Sequence, residues 1–381
     1  MDRIYLDNAA TTQLDTRVIE VITDSMGSIY GNPSSMHQFG RSAKSKIERA
    51  RKNIAKIFNA KASEIVFTAG GSEADNMIIH NAVTNLGVKR IISSKIEHHA
   101  VLHTLDAVAK KYKTEILYVD LLENGSIDLN HLETLLTSND EKALVCLMYI
   151  NNEIGTILDV KRVGSLCQEN NAYFHSDTVQ ALGHYNVDLT ELNIDFAVAS
   201  AHKFHGPKGV GFAYFKKGCL VEPMLTGGSQ ERGTRAGTEN VHGIIGMEKA
   251  LELVYETVDE DIAYIKNLKY YFKEQLETHI PGVLFNGNPE DIENSTYCLL
   301  NVRFPGENPM LLFTLDIKGI AASGGSACQS GSNKGSHVLN AILSPEEASK
   351  TSIRFSFCKH NTREELDAVI EILLEALLRK K

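Results

Sequence analysis

Ala199-Ser200-Ala201-His202-Lys203-Phe204-His205-Gly206-Pro207-Lys208-Gly209 completes an apolar run, Phe196–Ser200, and opens a turn dense in Ser, His and Gly. A strand ends here, and a lysine follows it directly. A lysine on a loop is usually a solvated charge, but the neighbours of this one change the reading. Ser200 and His202 place hydrogen-bonding groups beside its amine, and Gly206 and Gly209 permit close backbone approach. A lysine that works as a nucleophile needs a partly desolvated, cation-rich setting that lowers its pKa. Gly209-Val210-Gly211 is no dinucleotide fingerprint, because it precedes a strand instead of opening a helix.

Outward from this turn, short apolar runs alternate with amphipathic stretches, the pattern of an α/β fold with a largely parallel sheet. The expected strands are Glu64–Thr68, Arg90–Ser93, Glu115–Val119, Ala143–Tyr149, Tyr173–Ser176, Phe196–Ser200 and Val210–Phe215, which make a seven-stranded sheet. A helical stretch, Gly243–His279, leads into a smaller α+β part that ends in the amphipathic helix Thr362–Leu378. A chain of 381 residues is too long for one core of ordinary size. Two domains are expected: 15–255, and a smaller one made of 1–14 with 256–381. Charged residues are 23% of the chain and the net charge is 39 − 48 = −9, which argues against broad nucleic-acid or anionic-membrane binding. No apolar run is long enough to span a bilayer, and Met1–Asp7 lacks the basic-then-apolar order of a signal peptide. A cytoplasmic protein without nucleic-acid or membrane partners is expected.

Three further strand ends carry polar clusters. Ala172-Tyr173-Phe174-His175-Ser176-Asp177-Thr178-Val179-Gln180 puts an acid, Asp177, at the end of a strand. Such an acid often only caps a helix. Paired with the Lys203 turn it suits pyridoxal 5'-phosphate (PLP), whose ring nitrogen must stay protonated for the ring to act as an electron sink. Phe67-Thr68-Ala69-Gly70-Gly71-Ser72-Glu73 runs from a strand through two glycines into a helix start, which makes a phosphate cradle from exposed amides and the helix dipole. Glu73 reads as a capping residue there. Ile96-Glu97-His98-His99-Ala100 also follows a strand. Its adjacent histidines invite a metal reading, but in this company one ring stacking on a pyridine is the better account, and no metal is expected.

None of the six cysteines, Cys146, Cys167, Cys219, Cys298, Cys328 and Cys358, forms a CxxC pair, so free thiols are expected. Most suit small buried positions. Cys328 differs. It lies in Ser323–Ser332, a stretch so rich in Gly and Ser that an exposed loop is expected, and a thiolate there is placed to attack sulfur.

With these elements in order, the chain resembles the cysteine desulfurases of the NifS/IscS type, in the class V aminotransferase family. The likeness covers nearly the whole chain. It includes Tyr5-Leu6-Asp7-Asn8-Ala9-Ala10-Thr11-Thr12, Gly31-Asn32-Pro33-Ser34-Ser35-Met36-His37, Asn151-Asn152-Glu153-Ile154-Gly155, Arg235-Ala236-Gly237-Thr238 and Ser323-Gly324-Gly325-Ser326-Ala327-Cys328. The resemblance implies the type I fold of PLP-dependent transferases. It implies that Lys203 holds PLP covalently, that Asp177 pairs with the ring nitrogen and that His99 stacks on the ring, with a further role at the substrate thiol proton. Gly71, Ser72, Ser200 and His202 would hold the phosphate, and Thr238 would reach the phosphate of the second subunit of a homodimer. Gln180 and Asn152 would contact cofactor or substrate oxygens, and Asn32 and His37 would line the substrate entrance. Arg354 would take the substrate carboxylate in a bidentate pair that lysine could not copy.

The activity so implied is conversion of L-cysteine to L-alanine. The sulfur would pass as a persulfide on Cys328 to an acceptor protein, such as the scaffold on which iron–sulfur clusters are assembled. A selenocysteine lyase or an aminotransferase on the same fold is the alternative enzyme, and Cys328 argues against the aminotransferase. A non-enzymatic scaffold would not need Lys203, Asp177 and Cys328 intact. One departure from the family pattern stands out: Cys358 occupies a position that usually carries Gly, where a positive φ would impose a steric cost. A tolerated substitution is the expected outcome, and a second reactive thiol near Arg354 is the sharper alternative.

Overall fold

A computed structural model describes residues 3–219, 221–324 and 335–378; Cys328 and the rest of 325–334 lie outside the described residues. Strand β1 (Ile4–Tyr5) is followed by helices α1 (Thr16–Ser28) and α2 (Gln38–Ile57). Then come β2 (Ile65–Thr68), α3 (Gly71–Asn85), β3 (Arg90–Ser93), α4 (His99–Tyr112), β4 (Glu115–Tyr118), α5 (Leu129–Thr137), β5 (Ala143–Cys146), α6 (Val160–Glu169), β6 (Tyr173–Ser176), β7 (Phe196–Ser200) and β8 (Gly211–Phe215). Strands β2 to β8 form the expected seven-stranded sheet, in the order β2-β8-β7-β6-β5-β3-β4. All neighbours run parallel except β8, which is antiparallel to β2 and to β7. The physical reason lies in the Lys203 turn. The connection 201–210 is shorter than the roughly dozen residues that a parallel crossover needs, so the chain must double back.

Alternate residues of each strand enter different cores. Val145, Phe174, Ala197, Ala199 and Phe212 pack towards α2, α6 and the first half of α7 (Val241–His279). Leu144, Cys146, Phe196, Val198 and Ala213 pack towards α3 and α4. Both faces are covered, which is why the strands read as unbroken apolar runs.

A separate core gathers around β9 (Leu284–Asn286), β10 (Leu299–Arg303), α8 (Leu311–Ile317), β11 (Ile320–Ala321), β12 (Ser352–Ser356) and α11 (Arg363–Leu378), with α9 (His337–Ile342) and α10 (Pro345–Ser349) between β11 and β12. β12, β10 and β9 form an antiparallel sheet, while β1 pairs parallel with β11. The 39-residue α7 serves both cores: Val241–Val254 side chains lie in the first and Ile265–Leu276 side chains in the other. Boundary differences from the sequence reading have local causes. α7 starts earlier than Gly243 because Asn240 caps it, its side chain accepting from Gly243 N. Thr362 lies before α11 as half of a capping box: Thr362 Oγ1 accepts from Glu365 N, and Glu365 Oε2 accepts from Thr362 N.

Candidate active site

The carboxyl ends of β2, β5, β6 and β7 open onto one cavity of about 640 Å³, the usual place for a ligand on such a sheet. Lys203 stands in the short helical turn that ends β7. Its Nζ donates to the carbonyls of Ala9 (2.6 Å) and Ala10 (2.9 Å). The N-terminal segment therefore crosses from β1 to the cavity and is held there by the lysine. Thr12 reinforces the crossing: its amide and its hydroxyl both donate to the His202 carbonyl.

At the end of β2, Gly70 adopts φ 154°, ψ −175°, a backbone that only glycine takes readily, and α3 begins at Gly71. A Cβ at Gly211 would meet Ala199 O at 2.2 Å and Gly70 Cα at 2.8 Å, so the start of β8 must be glycine for this loop to seat against it. The first turn of α3, with Ser72, points its amides towards the space that Ser200, His202 and Lys208 also line. Glu73 does cap: its Oε2 accepts from Ala69 N (2.7 Å). The same carboxylate pairs with Arg235, Nε to Oε1 at 2.8 Å. Burial, and then the charge of Lys203, push His202 down to about 4, so the ring is neutral beside its Thr11 hydroxyl partner.

Asp177 lies at the other end of the cavity and is buried. Its Oδ1 accepts from Val179 N, and it forms no ion pair with a described residue. A second acid, Asp75 of α3, lies close behind it. Asp75 Oδ1 sits 3.1 Å from His175 Nε2, both side chains 1% exposed. Burial, and then the charge of Asp177, raise the Asp75 pKa, while His175 opposes the rise. A buried carboxylate without a cation, an amide-lined cradle at a helix start and a lysine between them match the pyridinium, phosphate and aldehyde of PLP, so the residues present fit that cofactor.

Of the other expected residues, Gly71, Ser72, Asn152, Gln180, Ser200, His202 and Arg354 all line the cavity. Gln180 Nε2 donates to Ala9 O (3.0 Å), and Arg354, almost fully buried, donates to Asn152 O (2.8 Å). His99 does not line it. Its neighbour His98 does, as the N-cap of α4, with Nδ1 accepting from Ala100 N. The ring of His99 lies instead against His103 (centroids 5.0 Å) and His337 (4.4 Å). The extended backbone at the cap turns these successive side chains to opposite sides, so it is the His98 ring that faces the cavity.

Thr238 and Asn32 are exposed and absent from this cavity wall, and Asn32 Oδ1 accepts from Ser34 N. His37 is exposed too and caps α2. Cys328 lies outside the described residues. Cys358 has no positive φ, so the substitution carries no steric cost there. Burial raises its thiol pKa, which disfavours the thiolate needed for reactivity. Asp75 and His98 were missed by the sequence reading. His98 sat in the quoted motif, one residue before the expected His99, whereas Asp75 carried no signal of its own.

Three comparisons place these features. The family model described as Aminotransferase class-V matches residues 4–369. The cysteine desulfurase IscS of Clostridium botulinum is 42% identical over 100% of this chain and 95% of its own length. The putative cysteine desulfurase IscS 1 of Bacillus subtilis is 42% identical over the full length of both. A solved NifS-like protein superposes with a TM-score of 0.91 at 36% identity, over 99% of this chain and 100% of its own. The lysine turn, the acid opposite it and the glycine cradle thus sit in a chain matched almost end to end, and it belongs to the class-V aminotransferases, a family of PLP-dependent enzymes.

Proposed function

We propose that this protein is a cysteine desulfurase that converts L-cysteine to L-alanine and passes the sulfur on as a persulfide of Cys328. The observation that carries the reading is that one cavity joins Arg354, a buried guanidinium suited to an amino-acid carboxylate, to Lys203 and Asp177. Full-length relatives named cysteine desulfurase support the sulfur chemistry. The chain divides, on this reading, into 15–255 and 1–14 with 256–381, and the separate cores served by α7 support that division.

Asp177 holds the proton on the cofactor's ring nitrogen. Gly71, Ser72, Ser200 and His202 hold its phosphate, and His98, in place of His99, covers its ring. Bound there, PLP supplies the electron sink that makes the Cα–H bond of the substrate labile. Arg354 and Asn152 orient the amino acid. The amine of Lys203, freed when the substrate takes its place, moves the Cα proton. Gln180 stays against the N-terminal segment and fixes the floor of the site. The Cys328 thiolate attacks the substrate sulfur, the S–S bond forming as the Cβ–S bond breaks; the bonding pair stays with Cβ, which takes up a proton, and alanine leaves with its carboxylate last held by Arg354.

A homodimer is part of this proposal. Thr238 and Asn32 are exposed on their own subunit, and the segment around Asn32 carries bare apolar groups: Tyr30 is 72% exposed, Met36 89% and Phe39 54%. A partner subunit covering these side chains would bring Thr238 to its phosphate and Asn32 and His37 to its substrate entrance. The sulfur acceptor is a protein, such as an iron–sulfur scaffold. A cytoplasmic setting suits the free thiols, and among the described residues no helix is long and apolar enough to cross a membrane.

Borohydride reduction of the loaded protein, followed by peptide mapping, should place the cofactor on Lys203. Incubation with sulfur-labelled cysteine should place the persulfide on Cys328. Cys328→Ala should still bind cysteine but release no sulfide without added thiol. His98→Ala should weaken cofactor binding and turnover, and His99→Ala much less. Label on Cys358, or wild-type sulfide release by Cys328→Ala, would sink the reading.

A further inference from the structure

Arg354 is the group that the reading above gives to the substrate carboxylate, yet the fold already supplies it with a carboxylate. Its Nη2 donates to Asp7 Oδ1 at 2.8 Å and its Nη1 to Asn152 O at 2.8 Å, while Nε has no partner among the described residues. Arg354 is 1% exposed, so its charge requires a counter-ion from the protein whenever the cavity holds no substrate. Asp7 is built to be that counter-ion. Its backbone bridges to Ser356 beside β1, and its carbonyl accepts from Tyr5 Oη. Its Oδ1 also accepts from Ser323 Oγ at 2.8 Å, and Ser323 exchanges backbone hydrogen bonds with Arg354 itself, at 2.7 and 3.2 Å. Asp7, Ser323 and Arg354 therefore form a closed set that joins the N-terminal segment to β12 at the cavity wall.

We propose that Asp7 is a positioning residue for the amino-acid carboxylate, a built-in competitor that keeps Arg354 neutralised and correctly turned until substrate arrives. The proposal rests on the reading that Arg354 receives that carboxylate. Two effects of opposite sign follow. The negative charge of Asp7 repels an incoming carboxylate and shares the guanidinium with it, which weakens ground-state binding. The same hydrogen bond holds the guanidinium in one orientation, which speeds turnover. The second hydrogens on both terminal nitrogens of Arg354 remain for the ligand. Removing the charge of Asp7 should tighten binding and slow catalysis together. A residue with a merely structural role would weaken both when lost.

The test uses loaded enzyme and L-alanine, which carries the carboxylate but no sulfur to transfer. Asp7→Asn should bind L-alanine about fivefold more tightly than wild type, since the ligand now supplies the missing counter-charge. Its thermal midpoint should fall without ligand, and L-alanine should raise it by more than in wild type. Its kcat for cysteine should fall about tenfold through lost orientation. Weaker L-alanine binding by Asp7→Asn would overturn the proposal while Arg354→Gln, having lost the binding, leaves the role of Arg354 intact. Undiminished binding by Arg354→Gln would remove that role and this proposal with it. Should Asp7→Asn fail to fold, Asp7→Glu decides. It keeps the charge one methylene away, so L-alanine affinity should stay within about twofold of wild type and kcat should fall; loss of L-alanine binding there would overturn the idea.

Discussion

Glu97 shows how closely burial governs single residues around this cavity. It precedes His98, is 1% exposed, and has one carboxylate oxygen bonded to Ser94 Oγ (2.7 Å) and the other without a partner among the described residues. Burial raises its pKa from the ordinary 4.5 to about 8, against the pull of its hydrogen bond from Ser94. The folded state thus holds a proton that the unfolded chain releases. The stabilisation is complete below about 4.5 and is lost as pH rises towards about 8. Glu97→Gln mimics the protonated acid and removes this titration. Urea denaturation from pH 5 to 8 should show the wild type losing up to about 1.4 kcal/mol per pH unit relative to the variant. Parallel curves for the two proteins would mean that Glu97 stays in one charge state throughout. The neighbouring histidines teach a related lesson. The sequence placed a ring at this cavity, but the choice between His98 and His99 depended on a single dihedral at the α4 cap.

Elements far apart in sequence are locked by a buried ion pair. Arg51 of α2 gives Nη1 and Nη2 to Glu231 Oε2 (2.6 Å) and Oε1 (2.8 Å), and their side chains are only 3% and 2% exposed. Glu231 also accepts from Phe67 N of β2, and the Arg51 guanidinium lies over the Phe67 ring. Glu231 and Arg232 both have positive φ, at 45° and 60°, a conformation that non-glycine residues keep only when contacts enforce it. The pair thus fixes the segment that carries Arg235 to Glu73 and, beyond it, Thr238. Glu231→Gln would leave Arg51 only the partly exposed Glu48, 3.2 Å from its Nε, as counter-charge, and we expect a loss of about 3 kcal/mol of stability in denaturant titration. A loss below about 1 kcal/mol would show that the guanidinium finds other partners. None of this was visible in the sequence, where Arg51 and Glu231 stand 180 residues apart.

At the scale of the whole molecule, the exposed apolar side chains and the outward-facing Thr238 predict a dimer. Sedimentation equilibrium should give twice the monomer mass. Mixing a Lys203→Ala subunit with a Thr238→Ala subunit tests the shared site. In the hybrid, one site carries both substitutions and the other carries neither, so activity should reappear on mixing. Full activity of dilute monomers would remove the basis for the shared site.

The class of fold and the family could be read from the residues alone. Seven strands were legible because runs buried on both faces are apolar throughout, and Lys203, Asp177 and the Gly70-Gly71 turn were legible because each punctuates a strand end. Even the reversal at β8 was implicit in the shortness of the Lys203 turn. Periodicity and turn chemistry report only what a segment does with its immediate neighbours. The strand order, the placing of Asp75 behind Asp177, the pairing of Asp7 with Arg354 and the face of the cap that His98 takes come from contacts across many residues of chain. Packing decides those contacts: each depends on which buried charge can find a partner and which backbone can approach another, and only the assembled tertiary structure brings the candidates together.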